Sequence, residues 1–127
     1  IDIAERENRP EHPLITYLLG SSTDEHITSI VKDFCQGKTV MAILDSDHSQ
    51  AHVAREMEIY ANLVTKDQYM IVEDTNINGH PTLPEFGPGP MEAVWAFLKT
   101  NNDFVIDKTR ERFLMTLNPQ GYLKKVR

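Results

Sequence analysis

The chain has 127 residues but only one cysteine, Cys35, so it can form no internal disulfide and fits a reducing compartment. Cys35 follows Phe34 at the end of a helical pattern and reads as a structural thiol. Positive charge is scarce too. Thirteen Lys and Arg against 19 Asp and Glu leave a formal charge of −6, which excludes an extended nucleic-acid or anionic-membrane surface. The one basic cluster, Lys124, Lys125 and Arg127, reads as a solvated tail. There is no apolar run long enough to span a bilayer, no signal-peptide pattern, no internal repeat and no low-complexity segment, so no stable membrane insertion and a cytoplasmic location are expected. The length suits one domain with a real core and not two. The opening "IDI" is strand-like and starts with Ile1, as in a chain entered part-way through an element.

What is present alternates between strand and helix patterns. "LITYLL" (14–19) is a short apolar run ending at Gly20 and predicts a strand. In "DEHITSIVKDFCQG", Ile27, Ile30, Val31 and Phe34 recur at helical spacing, with Thr23 or Asp24 as the cap and Gly37 as the stop. "TVMAIL" (39–44) and "QYMIVE" (68–73) lack alternation, as in strands covered on both faces. Between them Val53, Met57, Tyr60, Ala61 and Val64 mark an amphipathic helix over 49–64. "DTNINGHPTLPEFGPGP" (74–90) holds four prolines and three glycines without periodicity and predicts a long functional loop. A third helix follows, with Met91, Val94, Trp95 and Leu98 as its core stripe. "DFVIDKT" and "RFLMTLN" predict a closing antiparallel pair.

Repeated βα units imply a largely parallel sheet whose ligands bind beyond the carboxyl ends of the strands. That rule brings "GSSTD" (20–24), "DSDHS" (45–49) and "EDTN" (73–76) to one rim, with Asp2 at the end of a possible fourth strand. Asp45, Asp47, Glu73 and Asp74 then crowd four carboxylates together, which raises their pKa values or recruits a hard cation such as Mg²⁺, Mn²⁺ or Ca²⁺. Asp47 or Ser49 also suits the cap of the next helix. His48 is a candidate general base, His80 a candidate lining of a substrate pocket, and His52 a surface residue. The hydroxyls of "GSSTD" suit the polar edge of an adenine or a phosphate.

Three separated stretches, "ILDSDHSQAHVAREMEIYANLVTKDQYMIVEDT", "FGPGPMEAVWAFL" and "RFLMTLNPQGYLKK", together resemble the cephalosporin hydroxylase family. That family has the fold of S-adenosylmethionine (SAM)-dependent methyltransferases and includes rhamnosyl O-methyltransferase-like proteins; the resemblance covers about residues 14 to 127. It implies a Rossmann-like α/β three-layer sandwich, mostly parallel with a C-terminal antiparallel hairpin, as a single partial domain over 1–127. By comparison with this family and the similar catechol O-methyltransferases, Asp45, Glu73 and Asp74 match Mg²⁺ ligands. Asp2, Ser21, Ser22 and Thr23 match the SAM contacts, with Asp45 beside them, and His48 stands where the catechol enzymes carry a lysine base. The resemblance also places a first strand and a Gly-rich SAM loop ahead of residue 1, so the chain is expected to be N-terminally truncated and to associate, as a homo-oligomer or with another chain. The implied reaction is methyl transfer from SAM to a hydroxyl of a small molecule or glycan. Two other readings compete: a nucleotide-sugar glycosyltransferase using "DSD" as its metal-binding D-x-D, and a non-catalytic fold remnant that only self-associates.

Overall fold

The computed structural model describes residues 1–112 and 115–127. Helix α1 spans Glu25–Cys35, strand β1 Ala42–Leu44, α2 Gln50–Tyr60, β2 Tyr69–Val72, α3 Pro90–Thr100, β3 Phe104–Ile106 and β4 Tyr122–Lys125, with a 3₁₀ turn at Lys108–Arg110. The four strands form one sheet in the order β1-β2-β4-β3. β1 and β2 are parallel, with Leu44 opposite Val72; β4 runs antiparallel to both β2 and β3. The α/β class holds, but the sheet is mixed where a mostly parallel one was expected. The reason lies in the connections: α2 provides the crossover a parallel pair needs, whereas among the described residues only the short 3₁₀ turn lies between β3 and β4, too little to carry the chain back for parallel pairing.

The hairpin partner also differs from the one expected. "RFLMTLN" includes Phe113 and Leu114, outside the described residues, and β3 pairs instead with β4, drawn from the segment read as a basic tail. Two lysines suit an inner strand here because each has a partner. Lys124 lies 3.4 Å from Asp67. Lys125 extends under the end of α2 and donates from Nζ to the carbonyls of Ala61 and Val64, both at 2.9 Å. Those carbonyls lie at and just beyond the C-terminus of the helix, where no intrahelical donor remains. Lys125→Met removes both bonds together with the ammonium that lies 5.6 Å from the Phe104 ring centroid, so it should lower unfolding free energy by about 1–2 kcal/mol in a urea titration.

The core lies on one face of the sheet. Leu44, Met70, Val72, Phe104 and Leu123 point into it and meet Val53, Met57 and Tyr60 of α2 and Ala93 and Val94 of α3, with Val31 of α1 at the margin. The opposite face is open: Ile43 and Val105 are half-exposed, so the strands alternate in burial instead of being covered on both sides. β1 is an edge strand, and Met41 and Ile43 beside that edge are 51% and 54% exposed. The strand predicted over 14–19 reduces to one parallel bridge, between Leu19 and Asp2. Leu14 and Tyr17 remain exposed, since no ladder partner lies alongside to order them. α1 is capped by Asp24, whose Oδ1 accepts the His26 N–H at 2.8 Å. Of its expected stripe, Ile27 is buried and Phe34 half-exposed.

Candidate functional site

The carboxyl ends of β1 and β2 carry Asp45 and Glu73–Asp74 to the same rim, because the two strands are parallel and adjacent in register. His48 follows in the turn before α2, and its Nε2 lies 3.4 Å from Asp45 Oδ1 and 3.4 Å from Asp74 Oδ2. One ligand atom from each of Asp45, His48 and Asp74 falls within 4.8 Å of the others. The His48 Nε2 is buried and has no hydrogen-bond partner among the described residues. Glu73 lies outside that triplet but senses it: burial first, then the negative charges of Asp45 and Asp74, push its carboxyl above the usual range. Two carboxylates with a third beside them fit a divalent cation, and leave the unpartnered His48 nitrogen next to it.

Asp74 takes a left-handed backbone conformation, φ +52°, and its N–H donates to Asn118 Oδ1 at 2.9 Å. The next residue, Thr75, is fully buried and donates to the Pro119 carbonyl. The 118–119 turn thus fixes the direction in which Asp74 leaves β2. The expected loop over 74–90 is therefore not loose at its start: Thr75, Asn76 and Ile77 are all buried.

Asp47 does not join the triplet. Its Oδ1 accepts the Ser49 N–H at 2.7 Å, and the Ser49 hydroxyl and N–H together hold its carboxyl low. It shapes the turn ahead of α2, whose N-cap residue is Ser49 without a side-chain cap bond, so Asp47 is not itself the helix cap.

An open cleft of about 550 Å³ adjoins the rim and is lined by Asp2, Gly20, Ser21, Ser22, Asp45 and His52, among others. Asp2, Ser21, Ser22 and Asp45 of the expected cofactor set thus come together. Thr23 stands behind them, its hydroxyl 3.1 Å from that of Ser21. Asp2 is paired with Arg6 at 2.8 Å, which holds its carboxyl below the ordinary range. A cleft of this size with a carboxylate and hydroxyls on one wall accommodates a nucleoside.

Three residues of the neighbourhood escaped the sequence reading. His52, expected on the surface, is three-quarters buried and lies 3.2 Å from Ser22 Oγ. Glu56 is 2% exposed; its Oε1 accepts the Ser46 hydroxyl at 2.8 Å, and its Oε2 has no partner among the described residues. The i, i+4 spacing of His52 and Glu56 was the available signal. Burial, with help from Glu56, pushes the neighbouring Tyr60 hydroxyl up to about 12, and that hydroxyl donates to the Ser22 carbonyl at 2.7 Å. Glu92, in the first turn of α3, accepts from Gly89 N at 2.7 Å and Asn78 Nδ2 at 3.1 Å, and its Oε1 lies 2.8 Å from His80 Nε2. Burial raises the Glu92 carboxyl, but these hydrogen bonds outweigh it and bring it down to about 2. The expected substrate residue His80 is thereby anchored to α3 instead of hanging in a free loop.

Comparison with known proteins gives consistent relatives. A family model described as rhamnosyl O-methyltransferase/CmcI matches residues 1–126. The rhamnosyl O-methyltransferase of Mycobacterium bovis (strain BCG / Pasteur 1173P2) is 45% identical over 116 residues, covering 87% of this chain and 47% of that protein. The protein of the same description from Mycobacterium tuberculosis (strain ATCC 25618 / H37Rv) has the same identity and coverage. That of Mycobacterium leprae (strain TN) is 38% identical over 130 aligned positions, with 97% and 56% covered. The chain spans about half the length of the curated relatives it matches. No solved structure matches.

Proposed function

Because the chain belongs to the rhamnosyl O-methyltransferase/CmcI family, we propose that it contributes the cation and acceptor side of a SAM-dependent O-methyltransferase acting on a hydroxyl of a small molecule or glycan. The observation that carries this reading is the meeting of Asp45, His48 and Asp74 at the ends of two parallel strands, beside a nucleoside-sized cleft. Asp45 and Asp74, with Glu73 beside them, would hold Mg²⁺. Asp2, Ser21, Ser22 and Thr23 would hold the nucleoside of SAM, next to Asp45. SAM supplies an electrophilic methyl group on a sulfonium, and Mg²⁺ supplies positive charge that makes an acceptor hydroxyl more acidic.

The chain's own part is to bind and to orient. Glu73 and Asp74 project from the end of a strand fixed in the centre of the sheet, so their carboxylates move little when a ligand arrives. His48 lies between Asp45 and Asp74, where its Nε2 can take the proton that the acceptor hydroxyl loses as the methyl group arrives. The Asp74–Pro90 segment, tied down through Glu92, shields the acceptor side from water.

A D-x-D glycosyltransferase would need Asp47 to share the cation with Asp45. The engagement of Asp47 with Ser49 weighs against that. The open edge of β1 supports self-association, the single cysteine a cytoplasmic location, and the shared core one partial domain over 1–127. Among the described residues no helix is long and apolar enough to cross a membrane.

Calorimetric titration with S-adenosylhomocysteine, with and without Mg²⁺, tests the proposal. Saturable binding that Mg²⁺ leaves intact or strengthens is expected. A folded chain that takes up neither ligand would overturn it.

A further inference from the structure

Trp95 is the only tryptophan of the chain and was expected in the core, yet it is 41% exposed. Its neighbours on α3, Met91 and Val94, are buried, so the helix turns its indole outward at the edge of the packed face. The ring is nonetheless held. Its Nε1 donates to Gln120 Oε1 at 3.2 Å. His80 packs against it edge-to-face, with centroids 5.1 Å apart and planes at 77°. His80 is fixed in turn by Glu92, one helical turn before Trp95. An exposed aromatic ring secured at both sides gives up little side-chain freedom when a ligand lands on it.

Its position relative to the candidate cation site is also fixed. The turn that anchors the indole through Gln120 is the turn that holds Asp74 through Asn118 and Thr75 through Pro119. On the other side, Glu92 grips Gly89, where a Cβ would lie 3.4 Å from the His48 carbonyl oxygen. Platform and cluster thus share two mechanical attachments.

We propose that Trp95 is the stacking platform for the acceptor, a sugar ring whose apolar face lies on the indole while His80 and the Glu92-anchored loop meet its hydroxyls. This rests on the glycosyl-acceptor reading given above. Axial C–H groups of a pyranose carry partial positive charge, and the C6 methyl of a 6-deoxy sugar adds apolar area; both complement the electron-rich indole face. With Nε2 of His80 donating to Glu92, Nδ1 is left as an acceptor for a sugar hydroxyl.

The lone indole makes the test direct. Methyl α-L-rhamnopyranoside is titrated into the full chain while Trp95 fluorescence is followed, and saturation-transfer NMR reads contact to the sugar's C6 methyl. A saturable emission change with millimolar affinity is expected, together with transfer to the methyl protons. Trp95→Ala should weaken the sugar at least tenfold and Trp95→Phe far less, with S-adenosylhomocysteine binding unchanged in both. Circular dichroism of each variant confirms that the fold is kept. Emission indifferent to the rhamnoside in a chain that binds S-adenosylhomocysteine overturns the platform and leaves the methyltransferase reading standing. Rhamnoside binding in a chain that takes up no S-adenosylhomocysteine sustains the platform and removes that reading. Sugar contact that survives Trp95→Ala overturns the platform outright.

Discussion

Gly121→Ala should be among the most damaging single substitutions in this chain, lowering unfolding free energy by about 3 kcal/mol and the melting temperature by roughly 10 °C. A methyl group there would lie 2.2 Å from the Val72 carbonyl oxygen and 3.2 Å from both Cβ and O of Asn118. Neither neighbour can yield cheaply. Val72 is fully buried in β2, and its N–H is bound to the Gly121 carbonyl at 2.9 Å. Asn118 belongs to the turn that holds Asp74. Relieving the clash therefore means moving a central strand or the turn that aims a candidate ligand. A thermal melt followed by circular dichroism checks it, and a midpoint within about 2 °C of the parent would show that the 118–121 turn gives way freely.

The second large effect concerns the cation. Asp74→Asn should reduce affinity for Mg²⁺ or Mn²⁺ by more than about 100-fold, since loss of even an outer partner of a metal site costs 10–100-fold. Asparagine is the informative replacement. It keeps the shape of the side chain and tolerates the φ of +52° that Asp74 adopts, so the variant removes charge without straining the backbone. Isothermal titration of each protein with MnCl₂ makes the measurement, and matching stability curves confirm that the fold is kept. Unchanged affinity would show that the cation does not bind between Asp45 and Asp74.

The rim was legible in the sequence because strand period and βα alternation are enough to say which end of a strand a residue occupies. Asp45 and Asp74 were brought together by that rule alone, and the parallel β1–β2 register bears out the placement. What the sequence hid was partnership. Lys124 and Lys125 looked like a solvated tail because lysine is depleted in strands; their place in the sheet depends on Asp67 and on the end of α2, both far away in the chain. Glu56 looked like one more charge on a helix; its burial follows from Ser46 and His52 lying beside it. Trp95 shares the apolar spacing of Met91 and Val94, and periodicity does not say where along a helix face the covering layer stops. Strand 14–19 failed for the converse reason: its apolar run was real, but a strand needs a neighbour as well as a pattern.

The bare flank of β1 has a consequence for handling. Backbone groups at an unpaired edge, next to half-exposed Met41 and Ile43, attract other copies at short range. The net charge of −6 opposes this at longer range. That repulsion reaches only about 10 Å in 0.1 M salt and shrinks as salt is added, while the apolar contact is untouched. Colloidal stability of this chain is therefore expected to fall with rising ionic strength, which light scattering across a salt series would read.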